Sequence, residues 1–229
     1  MLKKLHPIYR ATSAYHAALG LYEQQRGQFE EALRHYARSL EVDPLDQLAV
    51  EQTVEVLRRQ GRENEARTFL SKVVDEAAGE VTAMNQLAVV ALRQGWPDEA
   101  EKLLRRVLQS DPGNPGLLAN LAASLMQQRR VPEAIEAISQ AVARDPENAR
   151  NYFNLGAMLA EQGRLQEAIA AFEKAAARGL RSARLHVAAG KMHFRLGAEG
   201  RAREELKKAL ALEPNDVEAA ELLAILNQS

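Results

Sequence analysis

The sequence predicts an all-α fold that is built from stacked helix–turn–helix units. The first observation is a period, because one alanine recurs every 34 residues, as Ala32, Ala66, Ala100, Ala134, Ala168 and Ala202. The second is that other positions keep the same phase, which a chance series in an alanine-rich chain would not do. The third is the three-to-four spacing of apolar residues that is typical of one helix face. A fixed period of this length indicates stacked supersecondary units.

Each repeat begins with a helix, here named the A helix, whose apolar residues recur at helical spacing, as in Met84, Leu87 and Ala91. Twelve residues before the recurring alanine, this helix carries a residue that is small in nearly every repeat. We expect the two helices of a repeat to approach most closely there, so that a larger side chain would overpack the crossing. The residues predicted to pack at these crossings are Gly20, Ala32, Ala66, Ala88, Ala100, Ala122, Ala134, Gly156, Ala168, Gly190 and Ala202.

A turn and a second helix, the B helix, complete each repeat. Glycine suits a residue that leaves a helix with positive φ, and the predicted turn residues are Gly27, Gly61, Gly95, Arg129, Gly163 and Gly197. Acidic residues such as Glu31 and Glu65 then lie near the positive end of the B helix. Asp-Pro pairs at 43–44, 111–112 and 145–146 end it, because the residue before proline disfavours the α region. The side chains predicted to N-cap the next A helix are Asp46, Asn114, Asn148 and Asp216.

These features resemble the tetratricopeptide repeat family, whose pattern is W-x2-L-G-x2-Y, then A-x3-F, then P. The fifth repeat reads Tyr152, Leu155, Gly156 and Leu159, then Ala168 and Phe172. The resemblance implies a right-handed α-solenoid, or superhelix, with the A helices lining its concave face. The implied divisions are a lead-in at 1–12, six repeats at 13–46, 47–80, 81–114, 115–148, 149–182 and 183–216, and a capping helix at 217–229.

The second repeat departs most from the pattern. Val54 occupies the small-residue position, Thr53 replaces a leucine, and Ala78 replaces the closing proline. We therefore expect this repeat to pack least tightly. Arg129 replaces the turn glycine of the fourth repeat.

By the same resemblance, one face of the A helices forms a peptide-binding groove. The groove residues that the resemblance implies are Asn85, Asn120, Ala123, Met126, Arg150, Phe153, Asn154, Arg184, Lys191, Phe194 and Arg195. Glu51 and Glu55 make the second repeat acidic, whereas arginine and lysine mark the fifth and sixth. An asparagine amide both donates and accepts hydrogen bonds, so Asn120 and Asn154 are suited to contact a peptide backbone, although a solvated polar role fits them equally.

Composition and motifs exclude several classes of function. The chain has no cysteine, which excludes disulfides and thiolate metal sites, and its net charge of −1 gives nucleic acid no general attraction. No apolar run is long enough for a membrane span, and no secretory signal follows the basic start, so a cytoplasmic location is expected. His186 and His193 are seven residues apart, too far to share one metal ion, and no phosphate-binding or nucleophile motif is present. We expect no metal, no cofactor and no catalytic residue.

The leading functional hypothesis is a non-catalytic protein-interaction scaffold, or adaptor, whose groove binds an extended peptide or a helix. The first alternative is a homo-oligomer that assembles through the terminal helix. This helix carries more apolar residues, Leu222, Ile225 and Leu226, than a capping role requires. The second, weaker alternative is a specificity subunit of an enzyme complex. Trp96 permits two interpretations: packing over a neighbouring turn, or an exposed anchor for a partner.

Overall fold

The computed structural model describes residues 12–228, so the predicted lead-in lies outside the described residues except for Thr12. Between Thr12 and Gln228 the chain forms thirteen α-helices and no strand. The helices are α1 (Ser13–Gln25), α2 (Phe29–Val42), α3 (Gln47–Arg59), α4 (Glu63–Glu76), α5 (Val81–Arg93), α6 (Pro97–Leu108), α7 (Pro115–Gln127), α8 (Val131–Arg144), α9 (Ala149–Glu161), α10 (Leu165–Ala177), α11 (Ala183–Arg195), α12 (Glu199–Leu212) and α13 (Val217–Gln228). The predicted fold class, an all-α solenoid of helix–turn–helix units, is confirmed.

The helices keep the period of the sequence. The A helices begin at Ser13, Gln47, Val81, Pro115, Ala149, Ala183 and Val217, each 34 residues after the one before. The B helices begin at Phe29, Glu63, Pro97, Val131, Leu165 and Glu199, with the same interval. Equivalent residues of successive repeats therefore occupy equivalent places on their helices.

The chain divides into two compact units, an N-terminal unit that ends at Leu103 and a C-terminal unit that begins at Leu104. In the N-terminal unit, Ala32 and Tyr36 of α2 form one core cluster with Ala49 and Val56 of α3. In the C-terminal unit, one cluster centres on α9 and α10, and another joins α11 and α12 to Ala219 and Leu226 of α13. Each core is therefore made by helices that are neighbours in sequence.

The turns between the A and B helices have left-handed backbone conformations. The five turn glycines have φ between 73° and 77°, and Arg129 takes the same conformation with φ of 64°. A side chain makes this region unfavourable, so the fourth repeat carries local strain that the others avoid. The predicted N-caps also form: Asp46, Asn114, Asn148 and Asp216 each accept a hydrogen bond from a backbone N–H in the first turn of the following A helix.

The residues predicted to pack at the helix crossings are all buried. Their sizes are matched to the B helix. A Cβ added at Gly156 would lie 2.6 Å from Cε1 of Phe172, and one at Gly20 would overlap the ring of Tyr36. In the fourth repeat the equivalent residues are Ala122 and Ile138, whereas in the sixth Gly190 lies opposite the aliphatic Leu206. Gly20 and Gly156 therefore make room for aromatic rings.

Trp96 packs inside the N-terminal unit, and its interpretation as an exposed anchor is wrong. The side chain is 2% exposed, and its indole Nε1 donates a hydrogen bond of 2.6 Å to Glu63 Oε1 at the start of α4. The guanidinium of Arg67 lies 4.6 Å from the ring centroid and that of Arg58 lies 5.7 Å from it. The hydrogen bond from Trp96, together with those from Arg58 and Arg67, holds the pKa of Glu63 below its usual value. Trp96 thus ties α4 to the turn that follows α5.

Candidate functional site

Three arginines of the C-terminal unit lie on its A helices with their side chains in solvent. Arg150 is the second residue of α9, Arg184 is the second residue of α11, and Arg195 ends α11. All three are exposed, and none makes an ion pair or a side-chain hydrogen bond with a described residue. The first turn of a helix already carries partial positive charge, so Arg150 and Arg184 add to it rather than offset it. Arg150 and Arg184 therefore add positive charge to the first turns of α9 and α11.

Apolar and amide groups accompany these charges on α9 and α11. Phe153 is half-buried and packs against Phe172 with ring centroids 5.8 Å apart, whereas Phe194 is 39% exposed. Asn154 is half-buried on α9 and makes no hydrogen bond with a described residue. We name Arg150, Arg184, Arg195, Phe153, Asn154 and Phe194 together the cationic face; α9 and α11, which carry it, contact each other.

Lys191, a further predicted groove cation, is engaged within the protein. Its Nζ lies 2.7 Å from Oε1 of Glu218 on α13. Both side chains are about half exposed, so the pair is worth little to stability, but it offsets the charge of the lysine. Glu218 stands on α13 at the position that Arg150 and Arg184 hold on α9 and α11, so the repeat phase was the signal that could have revealed this acidic residue.

The remaining predicted groove residues of the C-terminal unit lie on α7. Asn120, Ala123 and Met126 are half-buried there. Asn120 already interacts with another residue, whereas the side chain of Asn154 makes no hydrogen bond with a described residue. The two asparagines therefore occupy the same repeat position in different surroundings.

The acidic character expected for the second repeat is offset within the N-terminal unit. Glu51 forms an ion pair with Arg93, and Glu55 forms one with Arg59 at 2.8 Å. Asn85, the predicted groove residue of α5, is half-buried and already interacts with another residue. The net charge of this face is therefore smaller than its glutamates alone suggest.

His186 and His193 interact with other residues of the C-terminal unit or are buried in it. His186 Nδ1 lies 2.8 Å from Oε2 of Glu205, and His193 is buried. Burial tends to raise the pKa of Glu205, but its hydrogen bonds with Lys208 and His186 outweigh burial and leave that pKa lowered. Among residues 12–228 no group of three or more acidic, histidine or cysteine side chains is placed to hold a metal ion. Within the same range none of the helices combines the length and apolar character of a membrane-spanning segment.

Many solved structures share this fold. A structure of the Cut9–Hcn1 hetero-tetramer of the APC/C matches with a TM-score of 0.64 and 20% identity over 94% of this chain, which spans only 43% of that chain. PilF of Pseudomonas aeruginosa matches with a TM-score of 0.62 and 19% identity, over 93% of this chain and 97% of that one. YrrB, described as a TPR protein with an unusual peptide-binding site, matches with a TM-score of 0.59 and 20% identity, over 81% and 96%.

A search of curated proteins finds no match to the sequence. Models of the tetratricopeptide repeat match residues 91–159, residues 17–81 with 166–217, and residues 149–178. The second of these models alone covers about half of the chain. The chain therefore belongs to the tetratricopeptide repeat family.

Proposed function

We propose that this protein is a non-catalytic scaffold that binds an acidic peptide segment through the cationic face of its C-terminal unit. Tetratricopeptide repeats generally serve as protein-interaction modules, which supports a protein partner. The single observation that carries the finer proposal is that Arg150, Arg184 and Arg195 are exposed and make no ion pair with a described residue. A partner with carboxylates would supply the missing counter-charges.

Each type of side chain on the cationic face is suited to a different part of a peptide. Arginine presents a planar fork that binds a carboxylate with two parallel hydrogen bonds, so acidic side chains or a free carboxyl terminus fit Arg150 and Arg184. Phe194 can contact an apolar side chain of the peptide. The amide of Asn154 can form hydrogen bonds with the backbone N–H and C=O groups, which are the same in every peptide. Because exposed charges are screened by salt, we expect binding to weaken as ionic strength rises.

The experiment is a selection of random peptides with free carboxyl ends, displayed and enriched on the immobilised full chain. We expect the enriched peptides to be rich in aspartate and glutamate. The same selection on a chain carrying Arg150→Glu and Arg184→Glu should instead enrich lysine and arginine, because the sign of the charge on the face is reversed.

A matched control carries Arg201→Glu and Lys207→Glu on the B helix α12. These residues are also exposed cations, so the change in net charge is the same, but they lie outside the cationic face. This variant should keep the preference for acidic peptides. Acidic enrichment that survives reversal of Arg150 and Arg184 would refute the proposal.

The exposed apolar residues of α13 favour self-assembly as a second candidate function. Ala219 and Leu226 are buried against the rest of the C-terminal unit, but Val217 is 67% exposed and Ile225 is 52% exposed. Apolar side chains on an otherwise packed helix are suited to contact another copy of the chain. In this second proposal the chain is a homo-oligomer that is joined through α13.

Light scattering on the full chain at increasing concentration tests this second candidate. We expect the mass to rise above that of a monomer, and the double substitution Val217→Glu with Ile225→Glu to keep the chain monomeric. Val42→Glu is the control, because Val42 is 53% exposed at the end of α2 and should leave assembly unchanged. A wild-type chain that stays monomeric throughout would rule out assembly.

A further inference from the structure

A cleft of about 650 Å³ lies between the B helices α2 and α4 of the N-terminal unit. Leu33 and Leu40 of α2 form one wall, Phe69 and Val73 of α4 form the other, and α3 forms the floor. The cleft is open to solvent and is not part of the cationic face. An apolar depression of this size on a protein surface is suited to hold the side chains of a peptide segment.

Thr53 explains why the floor of this cleft is deep. The equivalent A-helix residue is leucine in four other repeats, at Leu19, Leu87, Leu121 and Leu155, and alanine in the sixth, so threonine removes volume that leucine fills elsewhere. Thr53 is 8% exposed, and its hydroxyl makes no hydrogen bond. A buried polar group without a partner costs free energy, so neither packing nor hydrogen bonding within the described structure accounts for this threonine.

One end of the cleft is negative. Glu41 and Glu76 line it near the C-terminal ends of α2 and α4, where the helix dipoles add partial negative charge. Neither carboxylate forms an ion pair with a described residue. Of the lining cations, Arg62 is already paired with Glu65 at 2.7 Å, which leaves Lys72 as the one unpaired described cation beside the two carboxylates. This end therefore suits a segment that combines aliphatic side chains with positive charge.

We propose that residues 1–11 of this chain bind in the cleft. Leu2, Leu5 and Ile8 supply aliphatic side chains at intervals of three, and Lys3 and Lys4 supply the positive charge. These residues join the described structure at the correct end. The carbonyl oxygen of Ser13 accepts a hydrogen bond of 2.7 Å from Ser39 Oγ, and the next residues of α2, Leu40 and Glu41, line the cleft.

The length of the segment is sufficient for this contact. Eleven residues span at most about 36 Å when extended, whereas a helix with its side chains is roughly 10–12 Å wide. The segment can therefore pass around the end of α2 and still place several side chains between α2 and α4. Because it is tethered to the site, it is present at a high effective concentration and needs only a weak intrinsic affinity.

Paramagnetic relaxation in the full chain tests the proposal. The chain has no cysteine, so His6→Cys gives one attachment site for a nitroxide label. We expect the label to broaden the methyl signals of Leu33, Leu57 and Val73, and reduction of the label to restore them. Adding Thr53→Leu should abolish the broadening because leucine fills the floor, whereas Thr53→Val, which leaves the floor open, should preserve it.

Two further results would overturn the proposal. If the methyl signals stay sharp, or if Thr53→Leu leaves their broadening unchanged, residues 1–11 do not occupy the cleft. If the labelled chain broadens the signals of an unlabelled, isotope-enriched chain that is mixed with it, the occupant is a second copy rather than the same molecule. Thr53→Leu should not impair folding, because it removes an unpaired hydroxyl and introduces the leucine that four of the other five repeats carry.

Discussion

Replacing Trp96 by alanine is expected to lower the free energy of unfolding by about 3–5 kcal/mol, the usual range for removing a buried aromatic side chain. The indole is 2% exposed, so its loss leaves a cavity between α4 and the turn after α5. It also removes the hydrogen-bond donor of Glu63 and the ring on which Arg58 and Arg67 lie. Thermal unfolding followed by circular dichroism should show a midpoint lower by roughly 10 °C.

Trp96→Phe is the matched control for this prediction. It keeps an aromatic ring but removes the indole Nε1 donor, so we expect a smaller loss of stability. The pKa of Glu63 should rise towards its usual value in this variant, because the hydrogen bond from Trp96 is the largest cause of its depression. A Trp96→Ala chain as stable as the wild type would mean that this side chain does not hold α4 in place.

Gly156→Ala is expected to destabilise the C-terminal unit by about 1–2 kcal/mol, although alanine is the better helix former by roughly 1 kcal/mol. The added Cβ would lie 2.6 Å from Cε1 of Phe172 and 3.1 Å from the carbonyl oxygen of Ala168. Phe172 cannot move aside easily, because it is 1% exposed and packs against Phe153. Urea denaturation followed by circular dichroism measures the change.

The sixth repeat provides the control for this second prediction. A Cβ added at Gly190 would lie 3.0 Å from Cγ of Leu206, compared with 2.6 Å from Phe172 at Gly156, so Gly190→Ala should cost less stability than Gly156→Ala. In a double-mutant cycle, Phe172→Leu should relieve Gly156→Ala with a coupling of about 1–2 kcal/mol. Additive effects of the two substitutions on the free energy of unfolding would show that the size of residue 156 is not coupled to the ring of Phe172.

The helices could be predicted from the sequence because the residues that start, end and pack them recur at the same position of each repeat. The recurring alanine, the turn glycines and the N-caps such as Asp46 and Asn148 each depend only on residues close in sequence. Arg129 shows the strength of this phase, since it adopts the left-handed turn that its neighbours reach with glycine. The surroundings of Trp96 were predicted only in part: its turn was evident, but its hydrogen bond to Glu63 was not.

The charges of the candidate site were less predictable. Glu51 with Arg93 and Lys191 with Glu218 are ion pairs between different helices. Which long side chains pair depends on the distances between helices, and a repeat pattern does not give these distances. The cleft over Thr53 was missed for another reason: a threonine in a leucine position predicted loose packing but did not indicate a surface depression. Family membership gives the interaction fold, whereas the cationic face depends on residues of this chain.

The most direct test of the proposed function is the affinity of one enriched acidic peptide for three full-length chains, measured by isothermal titration calorimetry. The chains are the wild type, the Arg150→Glu and Arg184→Glu variant, and the Arg201→Glu and Lys207→Glu control. We predict that reversal on the cationic face weakens binding more than tenfold, which is about 1.4 kcal/mol or more, while the control binds like the wild type. Equal affinity of all three chains for the peptide would contradict the proposal.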